Sequence, residues 1–106
     1  MNDEVEALLR QDSELIRAKI NSETAKIPWH ELQRFFAQGK VMLVAADLDL
    51  VDVAFAVQQD DVEQVAVWTE TNRLGPVTDE QARSWFDDDV SMWAVVVKPW
   101  VLVQAI

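Results

Sequence analysis

The sequence predicts an α+β fold, and three observations carry that expectation. The last fifteen residues, 92–106, include twelve apolar ones, rich in Val and Trp, which is a strand composition. Much of the preceding chain places apolar residues at helical spacing behind Ser, Thr or Asp, the residue types that cap helices. Between two such helical stretches, residues 41–45 (Val-Met-Leu-Val-Ala) form a short apolar strand. Because the C-terminal run is apolar on both faces, helices or a partner chain must cover both sides of it.

Residues 1–12 read as a charged, loosely attached N-terminal helix with Val5, Leu8 and Leu9 on one side. Asp12 or Ser13 is placed to cap a fresh helix running through Leu15, Ile16 and Ile20 to about residue 24. Pro28 suits the first turn of the next helix, where Trp29, Leu32, Phe35 and Phe36 follow at helical spacing and Gly39 supplies the stop. After strand 41–45, Asp47 or Asp49 caps a helix over 48–58 with Leu50, Val51, Val53, Ala54 and Val57 as its apolar set. Asp60 and Asp61 end that helix and begin another, 61–72, with Val62, Val65, Ala66 and Thr69 on one face.

Residues 72–76 read as a turn. Thr78 with Gln81 three positions later matches a capping box and opens a short helix through Ala82, Trp85 and Phe86, closed by Asp87, Asp88 and Asp89. Proline is poorly tolerated inside a central ladder, so Pro99 divides the C-terminal run into strands 93–97 and 100–104, joined by a bend or bulge. Strand 41–45 is expected to pair with one of them, and Val96, Val97, Val101 and Val103 are expected to be mostly buried. A helix pair followed by late strands is also the order of a winged-helix-like scaffold, a likeness at fold level alone.

Length bounds the chain to one domain, 1–106. It has no cysteine, which excludes disulfides and thiolate metal sites. The first thirty residues are too charged for a secretory signal, and the C-terminal run falls short of the ~20 apolar residues of a membrane-spanning helix. A soluble cytoplasmic protein is the expectation. The net charge of −10 is unevenly spread: residues 1–40 carry seven acidic and six basic side chains, 41–106 twelve and three. Such a surface repels phosphate backbones and anionic lipid and favours basic partners.

Three segments together carry a family resemblance: Ile27-Pro-Trp-His-Glu-Leu-Gln-Arg-Phe-Phe-Ala-Gln-Gly-Lys40, Leu48-Asp-Leu-Val-Asp-Val-Ala54 and Lys98-Pro-Trp-Val-Leu-Val-Gln104. From about residue 14 onward the chain resembles a small prokaryotic family known as domain of unknown function 2288, most specifically in its Pro-Trp-Val-Leu-Val-Gln ending. The resemblance implies a stand-alone bacterial protein. It carries no activity, substrate or catalytic residue.

Candidate chemistry is sparse. His30, the one histidine, has Glu31 beside it and Arg34 a turn away, but a general base needs an oriented nucleophile, and no serine elbow or cysteine offers one. Asp47, Asp49 and Asp52 are the candidate metal ligands, since hard divalent cations require convergent carboxylates. Helix capping and first-turn charge explain the same residues. Five tryptophans (Trp29, Trp68, Trp85, Trp93, Trp100) fit a core, a subunit interface or a pocket lining. The expected function is a non-enzymatic protein-interaction or regulatory module, with no cofactor, that takes a basic protein partner and forms a homodimer through its C-terminal strands. One alternative is a divalent-metal binder or metal-dependent enzyme using Asp47, Asp49 and Asp52. The other is nucleic-acid binding on a winged-helix-like scaffold, which the acids of helix 61–72 oppose.

Overall fold

The structure, a computed structural model, describes residues 3–106. Its elements run in the order α1 (Asp3–Glu23), β1 (Ala25–Pro28), α2 (Trp29–Ala37), β2 (Val41–Val44), α3 (Leu50–Gln58), α4 (Val62–Glu70), β3 (Leu74–Pro76), α5 (Asp79–Asp87), β4 (Ser91–Val97) and β5 (Trp100–Ala105). The strands form one mixed sheet in the order β1-β4-β5-β2-β3. β4 and β5 make an antiparallel hairpin, and β2 runs parallel to β5 with Val41 opposite Val101. The α+β expectation holds, and its three strands are the middle three of the sheet.

Alternation along these strands feeds two cores, one on each face. On one face Val41, Met92, Ala94, Val101 and Val103 pack with Trp29 and Leu32 of α2 and Ala82 of α5. On the other, Val44, Leu74, Val95 and Leu102 pack with Ile20 of α1 and Leu50, Val53 and Ala54 of α3, while Val65 and Trp68 of α4 lie against the same cluster. The doubly apolar C-terminal run is therefore covered on both sides. This arrangement corrects the winged-helix likeness, because the late strands are the centre of a two-faced sheet and not a hairpin flanking a helix bundle.

Other corrections are local. Residues 3–23 form one helix, not two: no Gly or Pro interrupts the run, so Asp12 and Ser13 stay inside it although either could have capped. The expected N-terminal helix over 1–12 is thus the first half of α1, with residues 1 and 2 outside the described range. Residues 25–28 are an edge strand with Ile27 opposite Met92, and Pro28 is the cap before α2, its ψ of 139° extended. Proline at the end of an edge strand loses no ladder bond. The expected turn at 72–76 contains strand β3, whose Gly75 faces Leu43. Lys98 and Pro99, joined by a cis peptide bond, form the reverse turn of the β4–β5 hairpin and not a bulge.

Of the four valines expected inside, Val101 and Val103 are buried and Val97 is half-buried, but Val96 is 56% exposed. It lies on the α2 side of β4, and the cluster that α2 and α5 cover on that strand holds Met92 and Ala94 without it.

Helices α2 to α5 are nine residues each and end alike. Gly39, Asp60, Asn72 and Asp89 adopt left-handed backbone, with φ of 72°, 58°, 60° and 53°. Each time the following N–H donates to the carbonyl five residues back, as from Lys40 to Phe35 O and from Val90 to Trp85 O, the Schellman pattern. Asp and Asn tolerate this region better than other residues with a Cβ. At Asp61 the stop of α3 is also the start of α4, because its carboxylate caps the N–H of Gln64. Thr78 and Gln81 form the expected capping box, at 3.1 and 3.0 Å.

Candidate functional site

The three candidate metal ligands are not brought together. Asp49 caps α3, accepting from the N–H groups of Val51 (2.8 Å) and Asp52 (3.4 Å). Asp52 turns to α1 and pairs with Arg17, whose guanidinium also lies 4.3 Å from the Phe55 ring centre. Asp47 pairs with Arg73 at 3.5 Å. Each carboxylate is thus engaged separately, and among the described residues no group of three His, Cys, Asp or Glu could hold a metal ion. The loop carrying Asp47 and Asp49 is fixed from the far end of the chain: Gln104 Nε2 donates to Ala45 O (2.8 Å) and Leu48 O (2.7 Å).

His30 donates from Nε2 to Asp89 Oδ1 (2.7 Å) and stands edge-on to Phe86 at 4.7 Å. Both partners are exposed, and among the described residues no hydroxyl completes a triad with them. The tryptophans divide by role. Trp29 is fully buried and meets Trp85 edge-on at 5.0 Å. Trp93 lies under the ammonium of Lys26, 5.0 Å from its ring centre, and Trp68 is half-buried against the second core. Trp100, at 38% exposure, is the indole that opens to solvent.

Trp100 borders a groove of about 610 Å³ between α4 and the tip of the β4–β5 hairpin. Met42, Leu74 and Leu102 line it from the sheet, and Val57, Val65 and Ala66 from the helices. The volume falls in the range of binding clefts, and the lining is largely apolar with a few charges at the rim, as such clefts are. Those charges are Asp60, Asp61 and Glu70 on the helical side and Lys98 on the hairpin. Among the described residues, Asp60, Glu70 and Lys98 take part in no ion pair. Val62, 68% exposed, sits on the rim beside Asp61. Trp100 apart, the sequence marks none of these positions as a site, because the lining comes from five elements, β2, α3, α4, β3 and β5, that only the fold brings together. The signal available was the unusual pairing of an apolar helix face at 62–69 with acids at both of its ends.

The family described as "Protein of unknown function (DUF2288)" matches residues 15–105. The chain belongs to this family. The DUF2288 match leaves out residues 3–14 of α1 and takes in every other element. A solved structure, the NMR solution structure of PA1075 from Pseudomonas aeruginosa, is 47% identical, with a TM-score of 0.74 over 85% of this chain and 83% of that one. No curated protein matches. The membership therefore fixes the fold and supplies no activity. Among the described residues, no helix is long and apolar enough to cross a membrane.

Proposed function

We propose that this chain is a non-enzymatic interaction module that receives a basic amphipathic segment of a protein partner in the groove between α4 and the β4–β5 hairpin, in a bacterial cytoplasm. The observation that carries the reading is the groove itself: an apolar lining, with Val62 and Trp100 standing out of it and Asp60, Asp61 and Glu70 at its rim. Apolar side chains in the floor supply the affinity of such a contact, and rim charges select the partner's sign and speed its approach. An amphipathic helix with Lys or Arg flanking an apolar stripe meets both demands. The wider charge balance agrees, since residues 41–106 hold twelve acidic and three basic side chains. Nucleic acid fits poorly, because α4 presents Glu63 and Glu70 and phosphate needs Lys and Arg there.

The test is calorimetric titration with two synthetic amphipathic helices that share one apolar face, one Lys-rich and one Glu-rich. The Lys-rich peptide should bind, weaken with added salt, and lose at least tenfold in affinity to Trp100→Ser or Val62→Asp. Equal binding of the Glu-rich peptide, or no effect of either substitution, would overturn the reading.

A further inference from the structure

The groove between α4 and the β4–β5 hairpin has two walls of opposite charge. Val62, Val65, Ala66 and Thr69 fall at positions i, i+3, i+4 and i+7 of α4, and all of them line the groove. A stripe with this spacing is one along which a second helix packs side by side with the first. Such a helix runs beside α4 for its whole length, nine residues or about 13 Å. It meets carboxylates at both ends of that wall, Asp60 and Asp61 before the first turn and Glu70 at the last residue. The hairpin wall presents Lys98, Pro99 and Trp100, and among the described residues Lys98 is the one basic side chain that lines the groove. It is exposed and, like Asp60 and Glu70, belongs to no ion pair among those residues.

We infer, on the footing that this groove receives an amphipathic helix of a protein partner, that the partner helix is divided by charge along its length. Its basic residues lie on the flank that meets α4, and a carboxylate lies on the flank that meets Lys98. A helix with lysine on both flanks satisfies the α4 wall but sets ammonium against ammonium at the hairpin. One with glutamate on both flanks gains Lys98 and faces three acids. Only the divided helix leaves no like charges opposed, and juxtaposed like charges are what reject wrong partners at an interface. The division also fixes the direction in which the helix lies, because only one of its two directions puts the basic flank on α4. Long-range attraction to a chain of net charge −10 favours the all-lysine helix instead. At physiological ionic strength that attraction is screened beyond about 8 Å, so the contacts at the two walls decide.

The experiment is calorimetric titration of the protein, at physiological ionic strength, with two synthetic helices that share one apolar face. One carries lysine on both flanks; the other carries lysine on one flank and glutamate on the other. The divided helix should bind the parent more tightly by about threefold or more, the scale of exposed ion pairs. In Lys98→Glu the order should reverse. Lys98 is an exposed turn residue, so the variant should keep the parent's melting midpoint. Glu70→Lys, on the other wall, should weaken both helices alike, because both present lysine to α4. Equal binding of the two helices by the parent, tighter binding of the all-lysine helix, or an unchanged order in Lys98→Glu would overturn the charge division and leave the groove itself as the binding site. A Glu70→Lys variant that reverses the order would overturn it too. If neither helix binds, the groove fails as a binding site and the division falls with it.

Discussion

Replacing Gln104 with Leu removes the two hydrogen bonds that tie the end of β5 to the loop before α3. Each such bond contributes ~0.5–1.5 kcal/mol net, so the pair amounts to ~1–3 kcal/mol. The upper half of that range applies if water cannot reach Ala45 O and Leu48 O once the amide is gone; both residues are half-buried, which favours the middle. Because about 1 kcal/mol moves the midpoint of a domain near this size by ~4–8 °C, the loss is readable by thermal or urea unfolding followed through tryptophan fluorescence. The consequence is also local. The loop that Gln104 holds carries Asp49, whose carboxylate caps α3, so the amides of Val51 and Asp52 should exchange faster in the variant. Combining Gln104→Leu with Asp49→Ala should cost less than the sum of the two, as expected for residues acting through one loop. Additive losses, or a Gln104→Leu midpoint equal to the parent's, would refute the argument that the tether organises this end of the helix.

Further predictions follow from the same packing. Thr78→Ala should lose ~0.5–2 kcal/mol by opening the capping box of α5, measured by urea denaturation. Val95→Ala should cost ~1.5–3 kcal/mol, since Val95 is buried against α3, while Val96→Ala one residue away should stay within ~0.5 kcal/mol. Deleting residues 100–106 should abolish cooperative melting in calorimetry, because β5 lies between β4 and β2 and buries Val101, Leu102 and Val103. Those three alone represent ~1.5–3 kcal/mol each against a total stability of only ~5–15 kcal/mol.

What was legible in the sequence was whatever has a local cause. The Thr78–Gln81 box, the break at Asp60 and Asp61, the glycine stop at Gly39 and the three central strands depend on neighbours within a few residues, and all appear in the structure. Strands β1 and β3 were missed because they are four and three residues long and end in proline; they exist because β4 and β2 offer free edges. Val96 escaped prediction for a similar reason, since alternation assigns a side chain to a face and says nothing about how far a helix covers that face. The carboxylates at 47, 49 and 52 looked convergent in one dimension. Their partners Arg17 and Arg73 lie far off in sequence on either side and draw them apart. The groove was invisible for the corresponding reason: Met42, Val62–Glu70 and Lys98–Leu102 meet only through the sheet order.

The most direct test of the groove reading is where a bound basic helix lands. In a titration of the isotope-labelled chain with the Lys-rich amphipathic peptide, followed by amide and indole chemical shifts, the account predicts that changes concentrate on Val62, Val65, Ala66, Thr69, Leu102 and the Trp100 indole. Asp47, Asp49 and Asp52 should be undisturbed. Shifts centred on those three carboxylates, or on the opposite face around Phe35 and Val96, would contradict it.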